Sequence, residues 1–236
     1  MHRPADVPKA LQTTLKNLQC DYLDLYLMHW PTGFQPGDQP MPKDSEGKVL
    51  LDKETSTAET WAAMEKLLET GKVKAIGISN FSKAEVEDLL KHAKVKPAVH
   101  QIETHPYLQQ QAFVDWHQQQ GIHVTAYSPF GNQNDVYDSG SKVQTLITHP
   151  TIQKIAEKHG VNGSDVALAW NMKRGCSVVP KSVNEARIKA NMGCLKVQLD
   201  DEDLKEIAKM NGPHRFNNPS KSWGYAYFAD LEDGGS

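Results

Sequence analysis

The stretch LDLYLMHWPTG, residues 23–33, decides how the chain folds. Apolar and aromatic side chains, interrupted by Asp24, run to Met28 and then stop at His29, Trp30 and Pro31. A short, nearly continuous apolar run suits a strand covered on both faces. Proline ends it, because proline has no N–H to give a neighbouring strand. A titratable ring and an indole therefore stand at the C-terminal end of a buried strand, the end that carries ligand sites in parallel sheets.

Four further runs repeat the pattern: 73–78 (VKAIGI), 98–102 (AVHQI), 122–127 (IHVTAY) and 177–179 (SVV). Between them apolar residues recur at helical spacing. Trp61, Met64, Leu67 and Leu68 share one face, and Ala84, Val86, Leu89 and Leu90 share another. Phe113 and Trp116 mark a third helix and Ile152, Ile155 and Ala156 a fourth. After a break at Gly160–Gly163 come Val166, Leu168, Ala169 and Met172. Thr57 or Ser56 can cap the helix ending at Gly71, Ser82 with Glu85 makes a capping box, and Gly121 closes the helix before IHVTAY. Strand alternating with helix gives parallel strands joined by crossovers, an α/β fold.

The strands share one further property. Polar residues gather at their C-terminal ends: His29, Ser79–Asn80, Gln101–Glu103, Tyr127–Ser128 and Lys181–Ser182. Any one of them is explained by strand-end capping or core packing; five at matching positions point to a binding rim. The Pro- and Gly-rich segment 32–56 reads as a long loop on the same rim, a wall of the pocket. The tail, 211–236, has aromatics without periodicity and reads as irregular, with its last residues disordered. No internal linker interrupts residues 1–236, which read as one domain.

Composition narrows the class. The 236 residues are 39% hydrophobic and 23% charged, as in a globular protein, and the net charge of −3 comes from 26 basic and 29 acidic residues. That balance argues against a general nucleic-acid binder. No apolar run approaches the ~18 residues of a membrane span, and MHRPADVPKA has no apolar core to serve as a secretory signal. Three widely spaced cysteines, Cys20, Cys176 and Cys194, form neither a disulfide framework nor a zinc set, which fits a cytoplasmic protein. His29, His100 and His105 raise the alternative of a metal-dependent hydrolase. His100 and His105 straddle a strand end and cannot point to one place, so no metal is expected.

LDLYLMHWP, GKVKAIGISNF, PAVHQIETHPYL, VTAYSPFG and VVPKSVNEARIKAN together resemble the aldo-keto reductases, in order and spacing, over roughly residues 4 to 218. The resemblance implies a (β/α)₈ TIM barrel that transfers hydride between NADPH and a carbonyl. Position by position, it makes His29 the active-site histidine that orients the substrate carbonyl and Trp30 a wall of the substrate pocket. It gives Ser79, Asn80 and Gln101 the nicotinamide carboxamide, Tyr127 the stacked nicotinamide ring, and Ser128 and Phe130 the pyrophosphate. Lys181, Ser182, Val183, Arg187 and Asn191 take the adenosine and its 2′-phosphate. A lysine, a hydroxyl and a guanidinium fork also suit a phosphate monoester on chemical grounds. Ala190 departs from the glutamate that many relatives carry, so a looser grip on adenine is expected.

A closed barrel needs eight strands and five are legible. The chain opens in a helix, RPADVPKALQTTLKNL, which in the family precedes the fourth strand. The expectation is thus an incomplete barrel lacking its first three β/α units, and with them the family's catalytic aspartate, tyrosine and lysine. Tyr22 and Tyr26 belong to the fourth-strand segment and take no such role. The expected function is NADPH-dependent reduction of an aldehyde or ketone to an alcohol, impaired by that loss. The alternative is a non-catalytic NADP(H)-binding or interaction fragment, a pseudoenzyme.

Overall fold

A computed structural model of the chain describes residues 2–37, 39–131, 143–210, 212 and 214–231. In chain order the elements are α1 (Val7–Leu18), β1 (Leu23–Met28), β2 (Gly33–Phe34), β3 (Leu51–Asp52), α2 (Thr57–Leu68), β4 (Val73–Ser79), α3 (Lys83–His92), β5 (Val99–Glu103), α4 (Gln111–Gln119) and β6 (His123–Tyr127). There follow a 3₁₀ turn (Leu146–Thr148), α5 (Pro150–His159), α6 (Gly163–Lys173), β7 (Ser177–Val178), α7 (Glu185–Ala190), a 3₁₀ segment (Asn191–Lys196), α8 (Asp201–Ala208) and α9 (Ser220–Trp223). The five longer-range strands form one sheet in the order β1-β4-β5-β6-β7. The chain divides into two compact units: Met1–His100 with Gln119–Ile122 and Asn218–Ser236, and Gln101–Gln118 with His123–Asn217.

In the first unit β1 and β4 pair in parallel, from Leu23↔Val73 to Met28↔Ile78. Gly77 in β4 lies opposite Leu27, and a Cβ there would stand 2.5 Å from Val99 O, so the position admits only glycine. Ser56, not Thr57, caps α2: its hydroxyl accepts from Glu59 N while the Glu59 carboxylate accepts from Ser56 N. Ser82 and Glu85 do the same for α3. The α2 face is as spaced, with Trp61, Met64 and Leu67 buried and Leu68 half-buried. Ala84 departs from its expected face and is exposed, because the first turn of α3 looks outward; Val86 and Leu89 alone are fully buried.

Segment 32–56 is more ordered than a loop. β2 and β3 pair antiparallel, Gly33↔Asp52 and Phe34↔Leu51, and Lys43 bridges Val49. Asp44 makes the connecting turn, its Oδ1 accepting from Glu46 N and Lys48 N, with Gly47 at φ 81°. The sequence DSEGK carries that turn signal. The tail also holds more than its composition suggests: α9 forms, and Tyr227 and Phe228 are fully buried. Residues 232–236, read as disordered, lie outside the described residues.

In the second unit β6 and β7 pair in parallel, Thr125↔Ser177 and Ala126↔Val178. Val179 falls just past the strand, although its N–H still reaches Ala126 O at 3.1 Å. Gly160, at φ 64°, ends α5 and divides it from α6 as the glycine pair requires. Ile152, Ile155, Val166, Trp170 and Ile207 build the core there.

Asp52 tests the hairpin. Its buried carboxylate accepts from Arg3 Nε, Glu54 N, Thr55 N and Thr55 Oγ1. Burial alone would raise its pKa; the Glu54 and Thr55 donors and Arg3 outweigh it and bring it down to about 2, from 3.8. A carboxyl depressed in the folded state stabilises above its unfolded pKa and loses that contribution as pH falls through the folded one. Asp52→Asn is therefore expected to cost roughly 2 kcal/mol at pH 7 and little at pH 2, measured by urea unfolding at both.

Candidate functional site

The first unit holds His29, Trp30, Ser79 and Asn80. The β1/β4 register brings the two strand ends level, so the peptide of His29 meets the residues after Ile78. Asn80, buried and at φ 63°, turns its side-chain amide back across that gap. Its Nδ2 donates to His29 O at 2.9 Å and to Ser79 Oγ at 3.1 Å. Asparagine tolerates the left-handed backbone better than most residues, which is what this reach demands. The strand end is thus tied by a side chain, and the His29 ring is not used for that purpose. His29 is exposed overall, yet partial desolvation holds its pKa below the ordinary 6.5, so the imidazole is neutral at pH 7. It borders a cavity of about 240 Å³ lined also by His2, Tyr26, Met28, Thr60 and Met64. Burial raises the Tyr26 pKa, keeping its phenol protonated.

Trp30 sits in an aromatic cage that sequence periodicity does not reveal. Trp223 and Tyr227 meet it edge-on at centroid distances of 5.1 and 5.0 Å, with Phe228 at 6.2 Å. Phe34 on β2 packs edge-on against Trp223 at 5.1 Å, and the Thr32 and Tyr227 hydroxyls bond to each other. Asp230 Oδ2 accepts from Ala84 N at 2.7 Å, which fixes the tail at the start of α3. The signal for this cage was the aromatic-rich sequence SWGYAYF, 222–228.

The second unit holds the remaining candidates. Gln101 and Glu103 alternate on one face of β5; Gln101 is half-buried and Glu103 fully buried. Tyr127 ends β6, and burial followed by the Glu103 charge pushes its phenol well above 10, so it stays protonated. Ser128, at φ 45°, opens a turn closed by Gly131 N on Ser128 O at 2.9 Å, and its Oγ accepts from Asn217 Nδ2 at 3.3 Å. Phe130 packs on the core beside Phe216.

After β7, Lys181 is exposed, Ser182 Oγ accepts from Asn184 N, and Asn184 in turn caps α7 by accepting from Arg187 N at 3.0 Å. The cap places Arg187 in the first turn and Asn191 one turn later. No residue of α7 is buried, and Val183 is 88% exposed. Glu185, the acid of α7, is taken by Lys189 at 2.6 Å. Among the described residues neither Lys181 nor Arg187 enters an ion pair. His100 and His105 serve the fold: His100 Nε2 accepts from Phe81 N, and His105 Nε2 donates to Glu103.

Residues 1–212 match the aldo/keto reductase family. The chain belongs to that family. It is 54% identical to an uncharacterized oxidoreductase of Schizosaccharomyces pombe, over 99% of this chain and 71% of that protein. It is 43% identical to an NADPH-dependent D-xylose reductase of Meyerozyma guilliermondii, over 92% of this chain and 71% of the relative. Among solved structures it resembles an aldose reductase from Schistosoma japonicum, with a TM-score of 0.87 and 37% identity, covering 96% of this chain and 71% of that one. An aldose reductase from Giardia lamblia gives a TM-score of 0.85 at 41% identity, covering 94% and 73%. The fold is therefore the α/β fold of aldo/keto reductases with a parallel five-stranded sheet. No helix among the described residues is long and apolar enough to cross a membrane.

The protonation state of His29 is directly measurable. In a ¹⁵N titration its midpoint is expected below 6.5. A midpoint at or above the ordinary histidine value means the ring is not desolvated.

Proposed function

We propose that this aldo/keto reductase chain binds NADPH and serves the reduction of an aldehyde or ketone to an alcohol. Family membership and relatives named as NADPH-dependent D-xylose reductase and aldose reductase support the reading. The single observation that carries the cofactor choice is the pair of exposed cations, Lys181 and Arg187, beside a capped turn, neither of which enters an ion pair among the described residues. Two such groups with the Ser182 hydroxyl match the charge and donor pattern of a 2′-phosphate. Val183 and Asn191 complete the adenosine contacts in this proposal.

Asn80 spends its amide N–H groups on His29 O and Ser79 Oγ, so it meets a carboxamide through its oxygen, as an acceptor. Ser79 and Gln101 are assigned the same group, Tyr127 the nicotinamide face, and Ser128 with Phe130 the pyrophosphate. NADPH, when bound, supplies the hydride that attacks the carbonyl carbon. The neutral His29 ring donates one hydrogen bond to the carbonyl oxygen, drawing electron density from the carbon and orienting it. Trp30, rigid in its cage, forms an apolar wall beside that oxygen. A small carbonyl compound in the cytoplasm is the proposed substrate.

The developing alkoxide also needs a proton. In the resemblance drawn above, the tyrosine, lysine and aspartate for that step have no counterparts at matching positions in these 236 residues. We read the five strands as the last five of an eight-stranded barrel and residues 1–236 as one partial barrel domain. A polypeptide of this length is then expected to bind NADPH and turn it over only slightly.

Two measurements check this. Titration of NADPH fluorescence is expected to show binding that weakens about tenfold in Arg187→Ala, the loss of one charge-assisted contact; an unchanged titration refutes the phosphate assignment. Steady-state assay with an aldehyde panel is expected to stay near background. Robust consumption of aldehyde by the 236-residue polypeptide overturns the impaired reading, whereas retained binding without turnover favours the non-catalytic alternative.

A further inference from the structure

Glu103 ends β5 with its carboxylate fully buried, a placement that is costly unless donors surround it. Three do. His105 Nε2 donates to Oε1 at 3.0 Å, Phe216 N to Oε1 at 2.9 Å, and Asn217 N to Oε2 at 2.8 Å. Two of these are consecutive backbone N–H groups of the C-terminal tail. The rings of His105 and Phe216 lie 5.3 Å apart, closing the contact from the side.

The charge balance is specific. His105 Nδ1 is buried and has no hydrogen-bond partner among the described residues, so Nε2 is the ring nitrogen that serves Glu103. Arg215 adds positive charge, held by Nη2 on Gln110 Oε1 at 2.9 Å, while Gln110 Nε2 donates to Glu103 O at 2.6 Å. Burial raises the Glu103 pKa; the His105 hydrogen bond and charge, the Arg215 charge and the Phe216 amide outweigh it and keep the carboxyl ionised.

The clasped segment reaches one residue further. Asn217 Nδ2 donates to Ser128 Oγ at 3.3 Å. Ser128 occupies the left-handed region at φ 45°, a strained choice for serine that needs support from its surroundings. It follows Tyr127 directly. A continuous line of contacts thus runs from Glu103, through the tail segment, to the turn that opens at Ser128.

We propose that Glu103 is a positioning residue: it clasps residues 216–217 and, through Asn217, holds Ser128 in the backbone conformation that presents Tyr127 and the 128–131 turn to the dinucleotide. The proposal rests on the assignment of Tyr127 and Ser128 as cofactor contacts. Linkage is reciprocal, so NADPH binding in turn slows opening of the clasp.

The test uses the full chain in two variants. Glu103→Gln keeps the shape but replaces one acceptor oxygen by a donor, so one tail N–H loses its partner. Backbone hydrogen exchange at 216–217 is expected to quicken about tenfold, and NADPH binding to weaken at least about fivefold. Asn217→Ala leaves both backbone N–H groups on Glu103 and cuts only the link to Ser128. It is expected to keep the 216–217 exchange slow, quicken exchange at Gly131, and weaken NADPH to a similar degree. Unchanged exchange at 216–217 in Glu103→Gln overturns the clasp, whatever the cofactor does. Faster exchange there with unaltered NADPH affinity in both variants overturns the positioning role. If Glu103→Gln does not fold, Asn217→Ala decides: unaltered exchange at Gly131 and unaltered affinity overturn the proposal. Absence of NADPH binding in the wild type sinks the cofactor assignment instead, and the exchange at 216–217 and Gly131 then decides the clasp independently.

Discussion

The parallel register of β1 on β4 is the constraint on which the first unit depends. Because Met28 lies opposite Ile78, the two strands finish at one height, and Asn80 can reach back to the His29 carbonyl. A shift of one residue would send every side chain of β1 to the other face. Gly77 guards that register, since any Cβ there would collide with Val99 O and the Leu27 side chain. The outcome is a histidine whose backbone is fixed by an asparagine and whose ring, neutral by partial desolvation, is not consumed by the fold. Trp30 beside it is rigid for a separate reason: Trp223 and Tyr227 of the tail meet it edge-on, and Phe34 of β2 backs Trp223.

The second unit shows a division between charges that serve the fold and charges that do not. Two buried carboxylates, Glu103 and Asp203, are each held by three donors. Asp203 accepts from Lys158 at 2.8 Å, His159 at 2.7 Å and Asp200 N at 3.0 Å, joining α5 to α8. Removing a partner from such a group leaves a charge in a medium that cannot solvate it. Lys181 and Arg187 stand in the opposite condition, exposed, on a stretch whose helix buries nothing. Exposed cations add little to stability. In the proposed function they meet a phosphate beside the capped turn.

Much of the fold was legible because local physics and the sheet agree. The run 23–28 is a strand to the residue, Ser82 and Glu85 make their capping box, and Gly160 and Gly121 fall at left-handed positions. Two features escaped for a shared reason. The β2–β3 hairpin is two residues per strand, too short for alternation to register, although the turn at Asp44–Gly47 was readable. The aromatics of 223–228 have no periodicity because they are organised around Trp30, a residue about two hundred positions away in the chain. Ala84 failed as a core position because its face is set by the packing direction of α3, which spacing cannot supply.

The sequence by itself determined the alternation of strand and helix, the helix caps and the polar residues at the strand ends, because these follow from neighbours within a few positions. It also carried the five motifs by which the family is identifiable. Tertiary structure alone decided that Asn80 ties down His29, that Trp30 is caged, and that Glu103, one of those strand-end polar residues, holds two backbone N–H groups more than a hundred residues away. Each is a contact between distant segments. Its strength comes from burial, which no local pattern of residues records.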